Sequence, residues 1–393
     1  MDSPFIHHWT LEEDLAFLNH GSFGACPKAV LEQQQRLRDE LERQPVEFFV
    51  RRREGLFDEA RNRLAAFLGA DPEGVVAVAN ATSGVNAVLR SLDLDPGDEL
   101  LVTDHEYNAC RNALDFVAER SGAKVVVVTL PFPVESPAQM TEAVLAGVTE
   151  KTKLVLIDHI TSPTGMILPV RKIVAELEEK GIDTLIDGAH APGMLPLSIE
   201  GVGSAYYTGN CHKWICAPKG AAFLYVREDR RNLVRPLTIS HGTNTPRPGR
   251  SRFHDEFDWP GTADPTPFLC VPKALQTMEA MVPGGWEEIR KRNRELVLEG
   301  RTIVAEALGV EPPCPDETIG SLAALQLPDG SPEPPASPLY TDPLQSILVE
   351  QYRIEVPIIP WPAPPKRLVR LSAQLYNSRE HYERLARAFE EQL

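Results

Sequence analysis

Residues 184–214 form the segment TLIDGAHAPGMLPLSIEGVGSAYYTGNCHKW, whose pattern is typical of an α/β fold. It holds two short apolar runs, 184–187 and 205–208, which are typical of buried strands. The first run ends in DGAH (187–190), and the second is followed by GNCHKW (209–214). Open α/β sheets gather ligands beyond the carboxyl ends of their strands, so these polar residues indicate a binding site.

The same pattern continues on both sides of this stretch. Strand-like runs lie at 75–79, 100–103, 124–130, 154–158, 184–187, 205–208 and 221–226. Helical patterns between them include 84–92, 108–120 and 170–180. Buried strands that alternate with helices predict an α/β fold with a mostly parallel sheet. Residues 227–265 show no sustained period and predict a loop region.

The C-terminal third has a different pattern. Helical patterns at 266–281 and 286–306 precede strand-like runs at 322–327, 354–359 and 368–371, and a final helix is expected near 379–392. Proline-rich stretches at 311–315 and 328–343 separate these elements. The pattern predicts a small α+β domain.

Composition narrows the class of partner. Lys+Arg 40 against Asp+Glu 56 gives a net charge of −16 over 393 residues, so nucleic acid and anionic membranes are repelled on average. The sequence shows neither a secretory signal nor a membrane-spanning run, and the six cysteines form no C-x-x-C pair. We therefore expect a cytoplasmic protein with reduced thiols that acts on small molecules.

Three strand ends carry residues with specific chemical uses. NATSG (80–84) opens a helix, where free N–H groups form either a phosphate cradle or an ordinary N-cap. Asp187 either holds a proton on a heterocyclic nitrogen or caps a helix. Lys213 is either a Schiff-base amine with a lowered pKa or a surface lysine. The occurrence of all three in this order favours the chemical interpretation of each.

Nine segments carry a resemblance to a known family: LNHGSFG (18–24), NATSGVN (80–86), DHEYNA (104–109), DHITSPTG (158–165), DGAHAPG (187–193), HKW (212–214), APKG (217–220), WPGT (259–262) and RLSAQLYN (370–377). The chain resembles the class V aminotransferase superfamily of fold type I pyridoxal-phosphate enzymes, and within it the isopenicillin N epimerase-like group. The resemblance implies a seven-stranded sheet sandwiched by helices. It also implies that residues 1–20 pack with the small domain, 21–270 form the large cofactor-binding domain and 271–393 form the small C-terminal domain.

The resemblance assigns a cofactor and roles. Pyridoxal 5'-phosphate would form the internal aldimine with Lys213, Asp187 would pair with the pyridinium nitrogen, and Tyr107 would stack on the ring. These three are the expected catalytic residues. The other expected cofactor contacts are Ala81, Thr82, Ser83, Thr164, His190 and His212, with Gly261 and Thr262 from the partner subunit of a homodimer. The expected substrate contacts are Arg370 for the carboxylate, with Asn19, Ser162, His241 and Arg51.

No metal is expected in this site. The order of the motifs explains the possible ligands without one; these are Asp104, His105, Asp158, His159 and His190. No G-x-G-x-x-G, G-x-x-x-x-G-K-[ST] or H-E-x-x-H motif is present, which weakens the dinucleotide, nucleoside-triphosphate and zinc-protease interpretations.

Several reactions remain open for an amino-acid substrate. Elimination of a β-substituent from a cysteine S-conjugate needs one base, whereas epimerisation needs a second acid that the sequence does not clearly supply. Transamination and a non-catalytic cofactor-binding protein are the alternatives. Cysteine desulfurase chemistry needs a nucleophilic cysteine in the small domain, and Cys314 lies well upstream of the expected position.

Overall fold

The computed structural model describes residues 3–244, 247–333 and 342–393. The strands in these ranges are β1 (Ala16–Phe17), β2 (Val75–Val78), β3 (Glu99–Thr103), β4 (Lys124–Val128), β5 (Thr152–Asp158), β6 (Asp183–Asp187), β7 (Tyr206–Asn210), β8 (Ala222–Val226), β9 (Leu322–Leu327), β10 (Ile354–Glu355), β11 (Ile358–Pro360) and β12 (Arg367–Ser372). The α-helices are α1 (His20–Phe23), α2 (Lys28–Arg43), α3 (Arg53–Leu68), α4 (Ala81–Leu89), α5 (Asn108–Ser121), α6 (Pro137–Ala146), α7 (Val170–Glu178), α8 (Ile199–Val202), α9 (Arg252–Phe257), α10 (Thr266–Leu269), α11 (Val271–Glu279), α12 (Gly285–Leu308), α13 (Pro343–Tyr352) and α14 (Arg379–Gln392).

A seven-stranded sheet of order β2-β8-β7-β6-β5-β3-β4 forms the centre. β8 runs antiparallel to both of its neighbours, and the other pairings are parallel. The predicted α/β fold with a mostly parallel seven-stranded sheet is confirmed.

Both faces of this sheet are covered. Along β5, Leu154 and Leu156 belong to one buried cluster, while Val155 and Ile157 belong to another. Successive side chains of a strand point to opposite faces, so the two clusters are the two layers of core. Burial on both faces explains why the strands appear as continuous apolar runs in the sequence.

The parallel register sets the position of the polar strand ends. Asp158 and Asp187 are register partners at the carboxyl ends of β5 and β6. β7 pairs with β6 and leads into Lys213. The three residues therefore lie at one edge of the sheet.

A second sheet, of order β11-β12-β9, is antiparallel and packs against α12. β1 pairs in parallel with β10, so the N-terminal segment is attached to this C-terminal region. The single strand expected over 354–359 is wrong, because its two halves pair with different strands. Pro357 between them has no N–H to donate, and its carbonyl oxygen accepts from the Arg370 N–H at 3.2 Å. The expected domain bounds stay a prediction.

The region 227–265 contains α9, a six-residue helix that is too short to show a period in the sequence. In the described part of the chain, no helix combines the length and apolar character that a membrane span requires. Much of the proline-rich stretch 328–343 lies outside the described residues.

Candidate active site

Lys213 follows β7 and extends its amine toward the end of β6. Its Nζ lies 3.1 Å from His190 Nε2. Burial, helped by the positive charge of Arg370, lowers the pKa of Lys213 to about 7. A substantial fraction of the amine is therefore unprotonated at neutral pH, which a nucleophile or base requires.

The tautomer of His190 follows from its second partner. The Trp214 indole N–H is a donor only, and it points to His190 Nδ1 at 3.4 Å. Nδ1 then accepts, and Nε2 carries the proton that faces the Lys213 amine. Burial and the charge of Lys213 lower the pKa of His190 well below its usual range, so the ring is neutral.

Asp187 is buried at the end of β6. One carboxylate oxygen accepts from the Ala189 N–H at 2.8 Å and the other from the Cys110 thiol at 3.1 Å. A carboxyl or thiol atom of each of Glu106, Cys110 and Asp187 lies within 4.8 Å of those of the other two. Burial, followed by the charge of Asp187, raises the pKa of Glu106 well above its usual range. Glu106 is accordingly held in its neutral form beside Asp187.

Arg370 is a buried cation on β12. Nη1 donates to the Ser162 carbonyl oxygen at 2.5 Å and to Ser162 Oγ at 3.3 Å, and Nη2 donates to Ser22 Oγ at 3.1 Å. Ser22 Oγ in turn donates to Asn19 Oδ1 at 2.5 Å. Nε is buried without a partner, and burial lowers the pKa of Arg370 to about 10. The guanidinium thus has donors available for an anion.

The first turn of α4 lies near the end of β7. Asn80 caps the helix by accepting the Ser83 N–H at 2.8 Å, and Asn210 Oδ1 accepts the Ala81 N–H at 2.9 Å. Within the described residues no hydrogen bond engages the Thr82 N–H. Of the three residues expected to bind phosphate here, Thr82 is the one whose main-chain donor is free.

Three other expected cofactor residues lie around this edge. The Thr164 hydroxyl lies 2.9 Å from His105 Nδ1 and 2.6 Å from Thr161 Oγ1, so it belongs to a buried polar chain. His212 donates from Nδ1 to the Ala221 carbonyl at 3.2 Å. Tyr107 occupies the N-cap position of α5 and is half exposed.

The remaining expected residues lie apart. Arg51 is exposed and paired with Glu47 at 2.5 Å, and His241 lies in an exposed turn. Gly261 and Thr262 lie in the segment after α9. In the described residues none of the four is hydrogen-bonded to Lys213, His190 or Arg370.

Sequence reasoning missed four contributors. Glu106 and Cys110 meet Asp187, Ser22 contacts Arg370, and His20 contacts Lys213. The motifs LNHGSFG and DHEYNA contain three of them, so the signal was present, but pattern alone does not show which side chain points inward.

Comparison with known proteins identifies the family to which the chain belongs. The family model for class V aminotransferases matches residues 25–303. The chain belongs to the class V aminotransferase family. Among its relatives, isopenicillin N epimerase of Streptomyces clavuligerus is 32% identical, covering 97% of this chain and 95% of the relative. A probable chloroplastic L-cysteine desulfhydrase of Arabidopsis thaliana is 30% identical, covering 98% and 84%.

A solved structure resembles this class V chain over its whole length. It is a C-DES mutant with glycine covalently linked to its cofactor, and it covers 99% of this chain and 100% of its own. The TM-score is 0.81 at 22% identity, which establishes the shared fold. As a member of the class V aminotransferase family, the chain is a pyridoxal-phosphate-dependent enzyme.

The class V site also fits pyridoxal 5'-phosphate on its own chemistry. An amine with a pKa of about 7 suits the aldehyde carbon, and the buried Asp187 has only a main-chain N–H and a thiol as donors. A pyridinium N–H would supply the charged partner that this carboxylate lacks. The free Thr82 N–H at a helix N-terminus suits the phosphate.

Proposed function

We propose that the enzyme is a carbon–sulfur lyase that removes the β-substituent of a cysteine-type amino acid. The observation that carries the proposal is the contact between Lys213 and His190. The two side chains touch each other, so they form a single acid–base unit, and elimination needs one such unit. The relative named L-cysteine desulfhydrase supports this choice.

In this proposal Lys213, Asp187 and Thr82 hold the cofactor through its aldehyde carbon, its ring nitrogen and its phosphate. Tyr107, half exposed at the start of α5, covers the ring. When bound, the cofactor accepts the electron pair left at Cα of the substrate. The chain's residues need only hold the substrate and move protons.

Arg370 binds the substrate carboxylate. Its guanidinium is buried and forms no ion pair within the described residues, and its hydrogen bonds go to Ser162 and Ser22. A buried charge without a counter-ion is costly, so an incoming carboxylate is strongly favoured at this position. Planar bidentate pairing then fixes the orientation of Cα.

The reaction needs no reactant other than the substrate and water. Lys213 removes the Cα proton, the Cβ–S bond breaks, and its electron pair leaves on sulfur, which takes up a proton as the released thiol. Before this step His190 donates to the Lys213 amine and keeps it in place, and that hydrogen bond breaks as the lone pair of the amine takes the Cα proton. Hydrolysis of the three-carbon fragment gives pyruvate and ammonia.

The site does not favour cysteine desulfurase activity. That reaction needs a thiolate to attack the substrate sulfur. All six cysteines are buried, and burial raises the pKa of Cys314, the one nearest the C-terminus. None has the exposed, low-pKa environment of a reactive thiol.

Epimerisation is the second candidate. The relative named isopenicillin N epimerase supports it. Burial, followed by the charges of Cys110 and Asp187, raises the pKa of the half-exposed Tyr107, so its hydroxyl lies near the site. An epimerase would use this hydroxyl as the acid on the face opposite Lys213. Elimination has no need of it.

Proton NMR in D2O separates the candidates. The cofactor-loaded protein is mixed with cysteine S-conjugates and with peptide-linked L-amino acids, and Cα is followed directly. Pyruvate with a released thiol supports the lyase, whereas a new diastereomer deuterated at Cα supports the epimerase. Tyr107→Phe sharpens the result, because it leaves elimination largely intact and abolishes epimerisation. Pyruvate formation that survives Lys213→Ala would contradict the assignment of the base.

The proposal includes a homodimer in the cytoplasm with shared active sites. Gly261 and Thr262 make no hydrogen bond to Lys213 of their own chain within the described residues, and the apolar side chains Phe23 and Val50 are largely exposed. A partner subunit would cover such surface and bring its own Thr262 to the phosphate. Sedimentation of the wild type and of Val50→Asp tests the dimer, since the variant is expected to be monomeric and to bind cofactor weakly.

A further inference from the structure

The side chain of His20 contacts the main chain of Lys213. His20 lies in α1, a one-turn helix of the N-terminal segment, and is fully buried. Its Nε2 lies 3.0 Å from the main-chain oxygen of Lys213, and its Nδ1 lies 2.7 Å from the Tyr376 hydroxyl. His20 thus links Tyr376, near the C-terminal end, to the main chain of Lys213.

The chemistry of these partners determines the direction of each hydrogen bond. The Lys213 carbonyl oxygen can only accept, so His20 Nε2 donates. Burial lowers the pKa of His20 to about 3, which leaves the ring neutral with one proton. Nδ1 then has no proton and accepts from the Tyr376 hydroxyl. Tyr376 therefore donates to His20, and His20 donates to Lys213.

His20 also contacts the neighbour that orients His190. Its ring centroid lies 4.7 Å from that of Trp214, whose indole N–H donates to His190. The amine of Lys213 is therefore held by His190 and its main chain by His20, while Trp214 touches both histidines. Two neutral histidines therefore contact both Trp214 and Lys213.

We propose that His20 is a positioning residue for Lys213: it anchors the main chain of the lysine through Nε2 so that the amine stays in its buried position beside His190. The proposal rests on the proposed role of Lys213 as the cofactor-binding amine. Its consequence is that loss of the His20 donor lets the amine move toward water. The pKa of Lys213 would then rise from about 7 toward its ordinary value.

Glutamine and asparagine at position 20 form a matched pair of variants. A glutamine amide nitrogen reaches about as far as His Nε2, whereas an asparagine amide reaches only about as far as Nδ1. His20→Gln therefore keeps the donor to the Lys213 carbonyl and His20→Asn loses it. Both lose the ring against Trp214, so their losses of thermal stability should be similar.

The measurement is the rate at which the apo-protein captures pyridoxal 5'-phosphate, followed by absorbance over a range of pH, with the bond to lysine trapped by borohydride and located by mass spectrometry. Capture needs the neutral amine, so the rate rises with pH through the pKa of Lys213. We expect His20→Asn to raise the midpoint by about one pH unit, which is about a tenfold fall in rate below it. His20→Gln should stay near the wild type, and Tyr376→Phe should lie between them.

The outcomes are distinguishable. If His20→Asn and His20→Gln shift the midpoint equally, or neither shifts it, the positioning role is wrong while the proposed function stands. If the trapped bond lies on a lysine other than Lys213 in the wild type, the proposed function itself fails.

Discussion

Arg370 Nη1 donates to the carbonyl oxygen of Ser162 at 2.5 Å, joining β12 of the C-terminal region to the segment that follows β5. The carbonyl is a neutral acceptor, and within the described residues no carboxylate forms an ion pair with Arg370. Other arginines of the chain that are similarly buried do have one: Arg61 pairs with Asp258 at 2.7 Å. This difference supports the proposed role of Arg370 in binding the substrate carboxylate.

Arg370→Lys is expected to lower kcat/KM by about 100-fold, mainly through a higher KM, because the ammonium cannot form the bidentate pair. Steady-state kinetics on a cysteine S-conjugate checks this. Arg367→Lys is the matched control, since Arg367 lies on the same strand and pairs with Asp342 at 2.9 Å. Equal effects of the two substitutions would contradict the role of Arg370.

Lys213→Met is expected to stabilise the apo-protein at low pH. The folded-state pKa of Lys213 is about 7 and its ordinary value is 10.5, so the unfolded chain binds more protons between them. Wild-type stability therefore rises with pH across this window, and the advantage of the variant shrinks there. Urea unfolding of both apo-proteins at several pH values measures the difference. If the difference in free energy of unfolding between the two proteins does not change with pH, Lys213 is not buried.

Glu106→Gln is expected to show the opposite slope. The folded-state pKa of Glu106 lies well above its ordinary value of 4.5, so the stability that it contributes is lost as pH rises above that value. The amide cannot ionise, and the variant's advantage in free energy of unfolding should grow with pH. The same urea series tests it, with the exposed Glu333→Gln as the control. A flat difference would mean that Glu106 is solvated.

Gly24→Ala is expected to displace the segment that carries Lys213. Gly24 has φ +70°, and a Cβ there would lie 2.0 Å from the His212 carbonyl oxygen. Gly97 has φ +91° with open space around it, so Gly97→Ala carries the backbone strain without the clash. We expect Gly24→Ala alone to weaken cofactor binding, by about tenfold or more, in an absorbance titration. Similar losses in both variants would attribute the effect to strain.

Asp258→Asn is expected to destabilise the fold by about 1–3 kcal/mol, because the buried Arg61 loses its buried counter-ion and keeps only Asp58, which is partly exposed. Asp264→Asn breaks a pair with Arg38 that is largely exposed and should cost at most about 1 kcal/mol. Thermal and urea unfolding compare them. A small effect at Asp258 would mean that water reaches the pair.

The sequence predicted the parts of the site that depend on local pattern. Apolar runs indicated where strands end, and parallel pairing then brought Asp187 and Lys213 to one edge. Contacts between distant side chains could not be predicted in this way. Asn210 takes the Ala81 N–H although 129 residues separate them, because α4 and β7 pack together only in the folded chain.

The pairing partner of a strand could not be predicted from the sequence pattern either. The run 354–359 has one apolar pattern but two sets of neighbours, since β10 pairs with the N-terminal β1 and β11 with β12. Apolar character indicates a strand without indicating its partner. Likewise, His20 is one of ten histidines, and its burial against Tyr376 depends on packing that no local pattern contains.

The hydrogen bond between His20 and Tyr376 spans 356 positions of the chain. During synthesis, a ribosome that has made the whole central sheet has not yet made the residue that completes the anchor of Lys213. Until the segment between β12 and α14 has been made, His20 lacks the Tyr376 hydroxyl that donates to its Nδ1. A truncated or stalled product lacks this contact, so we expect it to capture the cofactor more slowly than the full-length chain.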